Sequence, residues 1–384
     1  MINFISNLPR DLRSGGFSAL NVAALEAIEA AWPVEYVGPV NPPPRLAQKL
    51  LSKTQQWLGR GRDFFFYSAT RLETVASEVE RHCNSAAAFD FFHGFTPWVL
   101  TCPRRPYAAC SDCAFHDYID IYHRRDEFSA TDIARIEEAE AQWLKSAACV
   151  IFTSDWAAER TARRYRLDSD RVKTAGIFGE MDMPERDRYS DARKFAFVAT
   201  DFDAKGGPVV LRALQLVRRN HPDVSLVVVG DRGSAEPQEG VEFTGFLRKE
   251  VPPEYETFRN ILSEVRAIVH PTVKDISPHL IVEAAYFGCP SISTRAYAIP
   301  ESVDDRRTGY LLDNPRNVEE VARAMAWMLE NDREYAAMRA AAWEKSRSLH
   351  SKQQFAAHMR EFVSGVLAVV PNTPDSDGEN SLPR

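Results

Sequence analysis

Short apolar runs alternate with longer amphipathic segments along most of the chain. This alternation is typical of parallel sheets covered by helices on both faces, since a strand that is buried on both faces is apolar throughout. In the first half the predicted strands are residues 3–5, 64–67, 90–92, 107–110 and 150–153, and helices begin near residue 17 and cover 130–146. In the second half the predicted strands are 195–199, 225–229, 267–270 and 291–293, and the predicted helices are 317–329, 334–347 and 352–366. The pattern predicts an α/β protein.

A polar stretch divides this pattern into two parts. Residues 184–194 contain a proline, clustered charges and no apolar period, as a linker does. We therefore predict two doubly wound, Rossmann-like domains, over 1–183 and 195–348, which face each other across a cleft where such sheets bind ligands. A last helix over 349–370 is expected to return to the N-terminal domain. Residues 371–384, rich in Pro, Ser and Asp, are expected to be disordered.

The composition, with 45% hydrophobic and 26% charged residues, is that of an ordinary globular protein. A formal net charge of −7 argues against nucleic acid as a partner, because a phosphate backbone needs a basic surface. The first residues lack the basic start and apolar core of a signal peptide, and no apolar run approaches the ~20 residues that span a bilayer. We therefore expect a cytoplasmic protein.

The six cysteines are too sparse for a disulfide framework. Cys110 and Cys113 form a single C-x-x-C, which without a second pair is weak evidence for zinc or redox chemistry. His116 and His123 have no acidic partner at the spacing of metal ligands. We expect neither a protein-bound metal nor a cofactor.

The most informative segment, 274–290, follows a predicted strand and opens a helix. Ser277 suits the N-cap, Pro278 the first helical position, and Gly288 the position just past the helix end. The amino end of this helix would point into the cleft, where its free N–H groups and its dipole favour a phosphate.

Two acids accompany this helix: Asp275 on the loop before it, and Glu283 about a turn and a half inside it. Carboxylates at this spacing would accept hydrogen bonds from hydroxyls at both ends of one nucleotide sugar. In the alternative reading, Asp275 is a solvated loop charge and Glu283 a stray acid. That alternative is weaker for Glu283, because charged residues are rarely buried without a partner or a function.

The acids are seven residues apart, and Ala-Ala-Tyr-Phe-Gly-Cys-Pro follows Glu283, with Ala-Ile-Pro-Glu at 298–301 and Thr-Gly-Tyr-Leu-Leu at 308–312. In order and spacing this region resembles the E-x7-E region of the family-4 glycosyltransferases, glycosyl transferases group 1, with the GT-B fold. The strand at 197–199, followed by Lys205 and Gly206 at a helix start, is similar to the same family. The resemblance covers residues 195–345 and, more faintly, the first half.

The resemblance implies a GT-B enzyme that moves a sugar, with retention at the anomeric carbon, from a nucleotide-diphosphate sugar to a glycan, lipid-linked or small-molecule acceptor. The donor contacts that it implies are Lys205 with the diphosphate, Glu283 with the ribose, Asp275 with the sugar hydroxyls, backbone amides around Ser277 and His279 with a phosphate, and Phe246 beside the base. Asp275 departs from the family's Glu, so its reach or the donor sugar would differ.

A second departure is Thr200, which stands where the family has an arginine five residues before its lysine. One positively charged side chain that would contact the diphosphate is therefore missing. Arg248, Lys274 or Arg295 would replace it, although each is equally read as a surface charge.

Three residues of the first half are further candidates. Asp112 matches the position of the family's active-site histidine, and is either a group that polarises the acceptor hydroxyl or a turn residue. His93 follows a predicted strand and would face the cleft, as an acceptor or sugar contact or as a structural histidine. Gly16 would allow close approach of the backbone to the donor, or would simply form a turn.

Other functions stay open at this point. A nucleotide-sugar epimerase or hydrolase would use the same scaffold, because fold does not fix reaction. A non-catalytic nucleotide-sugar-binding module is kept in view by Thr200 and Asp275. Scattered basic residues of the first half, beside Trp57 and Trp98, would allow peripheral contact with an anionic membrane. Such membrane contact and a soluble acceptor are equally open alternatives. A nicotinamide oxidoreductase is disfavoured, since no G-x-G-x-x-G follows a predicted strand.

Overall fold

The computed structural model describes residues 1–13, 15–44, 46–57, 61–187, 189 and 193–369. The expected tail at 371–384 lies outside the described residues, and so does part of the expected linker at 184–194.

The first sheet is built entirely of parallel strands. Its strands are β1 (Ile2–Ile5), β2 (Val34–Val37), β3 (Phe89–His93), β4 (Tyr107–Ser111), β5 (Cys149–Phe152) and β6 (Val172–Thr174). Its helices are α1 (Gly16–Glu29), α2 (Leu46–Trp57), α3 (Ala69–His82), α4 (Phe115–Tyr122), α5 (Ala130–Ser146) and α6 (Asp155–Tyr165). The strand order is β2-β1-β3-β4-β5-β6.

The second sheet repeats this architecture, again with parallel pairing. Its strands are β7 (Lys194–Ala199), β8 (Ser225–Gly230), β9 (Val241–Gly245), β10 (Ala267–His270), β11 (Ser291–Thr294) and β12 (Gly309–Leu312). Its helices are α7 (Gly207–Arg218), α8 (Pro252–Glu264), α9 (His279–Tyr286), α10 (Ile299–Ser302), α11 (Val318–Glu330) and α12 (Asp332–Leu349). The order β12-β11-β10-β7-β8-β9 confirms the predicted pair of doubly wound α/β sheets.

Both faces of each sheet are buried, which explains why the strands read as continuous apolar runs. In β3, Phe91 packs in a cluster with Leu20 of α1, whereas its neighbour Phe92 packs on the opposite face with Leu72 of α3. Successive side chains of a strand point to opposite faces, so both must be apolar when helices cover both.

The last described helix, α13 (Lys352–Val369), packs against α1 of the first domain. Phe355, Met359 and Val363 share one buried cluster with Phe4 of β1. The chain therefore passes between the two domains twice, once after β6 and once after α12. In the described part of the chain, no helix has the length and apolarity needed to cross a bilayer.

One predicted strand is wrong. Residues 64–67 contain a short 3-10 helix, Phe65–Tyr67, instead of a strand. Phe64 stacks on Phe128 at 4.9 Å between ring centroids and meets Phe115 edge-on at 5.7 Å. An aromatic run has the composition of a strand, but here Phe64 packs into a buried cluster with Phe115 and Phe128, while Phe66 is exposed. The edge strands β2 and β6 escaped prediction because both are short and partly exposed.

Candidate active site

A cavity of about 930 Å³ lies between the two domains. The first domain contributes the segments that follow β1, β3, β4 and β5, and the second contributes those that follow β7, β8, β9 and β10. These are carboxyl ends of parallel strands, the edge at which doubly wound sheets bind ligands. Of the residues expected at a site, the cavity is lined by Gly16, Asp112, Lys205, Phe246, Asp275, Ser277, His279 and Glu283.

Lys205 and Asp275 form an ion pair in this cavity. Lys205 Nζ lies 2.6 Å from Asp275 Oδ2 and also donates to the backbone oxygen of Lys274 at 3.1 Å. His270 Nε2, at the end of β10, lies 3.1 Å from the same Oδ2. Burial alone would raise the pKa of Asp275, but the contacts with His270 and Lys205 hold it below its ordinary value. Asp275, expected to hold sugar hydroxyls, thus also orients the lysine.

Glu283 forms a second ion pair, with Lys249. The Lys249 ammonium contacts Glu283 Oε1 at 2.5 Å and Glu180 Oε2 at 3.3 Å. The backbone N–H of Glu180 donates to the same Glu283 Oε1 at 3.1 Å. Sequence reasoning missed Lys249 and weighed its neighbour Arg248 instead, because nothing in the sequence tells which of two adjacent basic side chains on a loop turns inward.

Asp275 and Glu283 each use only one carboxylate oxygen for their contacts with the protein. Asp275 binds through Oδ2 and Glu283 through Oε1. Among the described residues, Asp275 Oδ1 and Glu283 Oε2 have no hydrogen-bond partner, and neither atom is among the buried unsatisfied ones. Both acids therefore keep an acceptor oxygen for a ligand.

Helix α9 begins one residue later than the sequence suggested. Pro278, with φ −70° and ψ 117°, is the residue before the helix, and Ser277 is not its N-cap. The Ser277 Oγ is buried without a partner among the described residues. Gly288 has φ +65°, so it ends the helix in the left-handed region as expected. In the first turn, the Ile281 N–H donates to the Pro278 carbonyl at 3.1 Å, whereas the N–H groups of His279 and Leu280 have no acceptor in the described part of the chain. His279 and Leu280 both line the cavity.

Gly16 and His279 meet across the cleft. A Cβ added to Gly16 would lie 2.8 Å from His279 Cδ2, so a larger residue at the start of α1 would require α1 or the imidazole to shift. Burial lowers the pKa of the His279 imidazole, which favours its neutral form. Gly16 therefore lies against a side chain of the other domain, and its expected close approach to the donor stays a prediction.

Asp112 and His93 lie at the ends of neighbouring strands but differ in access. Asp112 lines the cavity, accepts a weak hydrogen bond from Ser111 Oγ at 3.4 Å, and has its pKa raised by burial. His93 is fully buried and does not line the cavity, and its ring lies 4.2 Å from that of Phe17 between centroids, tilted by 43°. Burial lowers the pKa of His93 to about 3. The expectation that His93 faces the cleft is wrong, because Phe17 covers it.

Of the three candidates for the missing cation, two are paired with carboxylates and the third lies away from the cavity. Arg248 lines the cavity but pairs with Glu254, and Arg295 pairs with Asp305 and Asp313 outside it. Lys274 is exposed and does not line the cavity. Phe246, which was expected beside the base, lines the cavity and is 61% exposed.

The paired cysteines offer little chemistry. Cys110 and Cys113 are buried, and burial raises the pKa of both thiols. In the described ranges, no group of three or more His, Cys, Asp or Glu side chains is placed to hold a metal ion.

Comparison with known proteins relates this geometry to a family. Residues 180–345 match the family described as Glycosyl transferases group 1. Sucrose-phosphate synthase from Thermosynechococcus elongatus superposes with a TM-score of 0.67 at 14% identity, over 96% of this chain and 100% of the other. HepE from Anabaena, solved with UDP-glucose, gives 0.63 at 14% identity over 95% and 100%.

TarM from S. aureus, solved with UDP, gives a TM-score of 0.58 at 14% identity, covering 77% of this chain. This chain spans only 58% of the length of TarM. No curated protein gives a significant sequence match. At these identities the structural likeness establishes the fold. Residues 180–345 are thus similar to the glycosyl transferases group 1 family, and the chain has the GT-B fold.

Proposed function

We propose that this chain is a retaining glycosyltransferase that transfers a sugar from a nucleotide-diphosphate sugar to a sugar-containing acceptor. UDP is the first nucleotide to test, because HepE was solved with UDP-glucose and TarM with UDP. TarM was also solved with a glycosylated glycerol and an oligosaccharide, which favours a glycan-type acceptor. Six unpaired cysteines fit a reducing compartment, so we place the reaction in the cytoplasm.

A single observation carries the proposal: two lysine–carboxylate pairs lie on one wall of the cavity, each with one acceptor oxygen left over. Lys205, beside the amino end of α9, would bind the diphosphate, because an ammonium and free N–H groups both stabilise the charge that grows there. The free oxygens of Asp275 and Glu283 would accept sugar and ribose hydroxyls.

The transfer itself needs few protein groups. The bond between the anomeric carbon and the β-phosphate oxygen breaks, and the acceptor oxygen bonds to that carbon from the same face. The acceptor proton passes to the departing phosphate, so the products are a glycoside and a nucleoside diphosphate. Asp112, on the opposite wall, would accept a hydrogen bond from the acceptor hydroxyl and orient it.

We further propose that the reaction needs no protein-bound metal. In that case the charge of the leaving diphosphate is offset by Lys205 and by the helix dipole of α9. Activity that persists in excess EDTA would support this, and activity that returns only with added Mg²⁺ or Mn²⁺ would contradict it.

The first test is thermal stability against UDP-, GDP-, ADP- and dTDP-sugars, because a ligand that binds only the folded state raises the melting temperature. We expect a shift with one nucleotide that disappears in Glu283→Ala. Release of the nucleoside diphosphate with an acceptor present would then separate transfer from epimerisation, in which no nucleotide is released. Binding of a donor without any turnover of a glycan panel would point to a non-catalytic module.

A further inference from the structure

Lys249 connects three parts of the cavity. It lies on the loop between β9 and α8, three residues after Phe246. Its ammonium bridges Glu283 of α9 and Glu180 of the segment that crosses between the domains. Glu283 is only 2% exposed, and a carboxylate buried to that degree needs a counter-charge.

We propose that Lys249 is a positioning residue, which holds Glu283 so that its second carboxylate oxygen accepts hydrogen bonds from the ribose hydroxyls of the donor. This inference rests on the proposed function, since it assumes a nucleotide in this cavity.

The hydrogen-bond pattern at Glu283 carries the argument. The Lys249 ammonium and the Glu180 N–H both reach Oε1, from different elements. A carboxylate fixed by two donors at one oxygen no longer turns freely, so Oε2 is held in one direction. Such pre-organisation improves affinity, because less freedom is lost when the ligand binds.

The charges around Lys249 argue against a direct role on the diphosphate. Its ammonium faces two carboxylates, those of Glu283 and Glu180, so this group of three carries one positive and two negative charges. Burial opposes the charge of Lys249, but the two carboxylates hold its pKa above the ordinary value. Lys205, with one carboxylate and one carbonyl, is the better phosphate ligand.

Titration calorimetry with UDP and with its 2′,3′-dideoxy analogue tests the proposal. The two ligands share base and diphosphate and differ only in the ribose hydroxyls. If the stability panel selects another base, the same pair is used on that base. The variants are Lys249→Met, Lys249→Arg and, as a control, Lys345→Met. Lys345 is also a poorly exposed lysine paired with a carboxylate, that of Asp304, but it lies outside the large cavity.

The wild type should bind UDP roughly tenfold or more tightly than the dideoxy analogue, since a hydrogen bond to a charged group has that worth. In Lys249→Met this ratio should fall to nearly one, through weaker UDP binding, while the affinity for the dideoxy analogue stays within about twofold. Lys249→Arg should restore part of the ratio, and Lys345→Met should keep it.

Equal loss of affinity for both ligands in Lys249→Met would overturn the proposal, because the lysine would then act on the diphosphate or on the fold. An unchanged ratio would overturn it as well. If the wild type binds UDP and the dideoxy analogue equally tightly, only the roles proposed for Glu283 and Lys249 are refuted. A wild type that binds no nucleoside diphosphate refutes the proposed function itself.

Discussion

The carboxylate of Glu301 in the second domain accepts a hydrogen bond from the backbone N–H of Trp156 in the first, at 2.6 Å. Its other oxygen accepts from the N–H of Asp155 at 3.0 Å. These are the first N–H groups of α6, so an acid of one domain caps a helix of the other, where the helix dipole favours negative charge. The Trp156 ring also meets Tyr297 edge-on at 5.7 Å. This contact joins the two domains.

Replacing Glu301 by glutamine should weaken this contact between the domains. Glutamine keeps the shape but has one acceptor oxygen and no charge, so we expect the contact to weaken by about 1–2 kcal/mol. The radius of gyration from small-angle scattering should increase, and the transfer rate should fall about tenfold. Glu239→Gln, at an exposed surface ion pair, is the matched control. Unchanged scattering and rate would show that Glu301 does not hold the domains together.

Lys205→Ala and Glu283→Ala should each abolish transfer. Lys205 would no longer oppose the charge of the departing diphosphate, and Glu283 would no longer accept from the ribose. We expect kcat/KM to fall about 100-fold or more in each variant, measured by nucleoside diphosphate release. Cooperative melting must be retained, to exclude unfolding. An unaltered rate in either variant would refute the site assignment.

Gly16→Ala should interfere with the approach of the two domains. The added methyl would lie 2.8 Å from His279 Cδ2, so either α1 or the imidazole must move. We expect a loss of transfer rate of about tenfold, with little change in melting temperature. Gly365→Ala is the control, since a Cβ there meets nothing within 4 Å. Full activity of Gly16→Ala would mean that the enzyme does not need this contact.

The buried histidines should make the fold sensitive to acid. Burial lowers the pKa of His93 to about 3 and that of His350 to about 4. Each imidazole takes up a proton more readily in the unfolded chain than in the folded protein. Its titration therefore leaves the free energy of unfolding unchanged above the unfolded pKa of about 6.5 and lowers it as the pH falls below that value. For His93 the unfolding free energy should drop by about 2 kcal/mol between pH 7.5 and 5.

Urea unfolding of wild type and His93→Leu at these two pH values measures that drop. The variant should lose about 2 kcal/mol less than the wild type over this interval, whatever its stability at pH 7.5. An identical pH dependence would indicate that His93 finds a proton-accepting partner in the native protein.

The order of elements follows from the sequence alone, because strands buried on both faces must be apolar throughout and helices must show a periodic apolar face. The strand of residues 267–270 and the end of α9 at Gly288 were predictable for this reason. Asp275, Glu283 and Lys205 could be recognised in the sequence, because each is placed by its spacing from a nearby strand end or helix start.

Side-chain contacts between different helices, strands and loops were decided only by the tertiary structure. Lys249 turns inward because it meets carboxylates that lie 34 and 69 residues away in the chain. His93 is covered by Phe17, and Gly16 is matched to His279 of the other domain. The local sequence pattern indicates the period and the ends of a helix or strand. The residue that pairs with a charge or packs against a glycine lies on a distant segment, and only the tertiary structure brings them together.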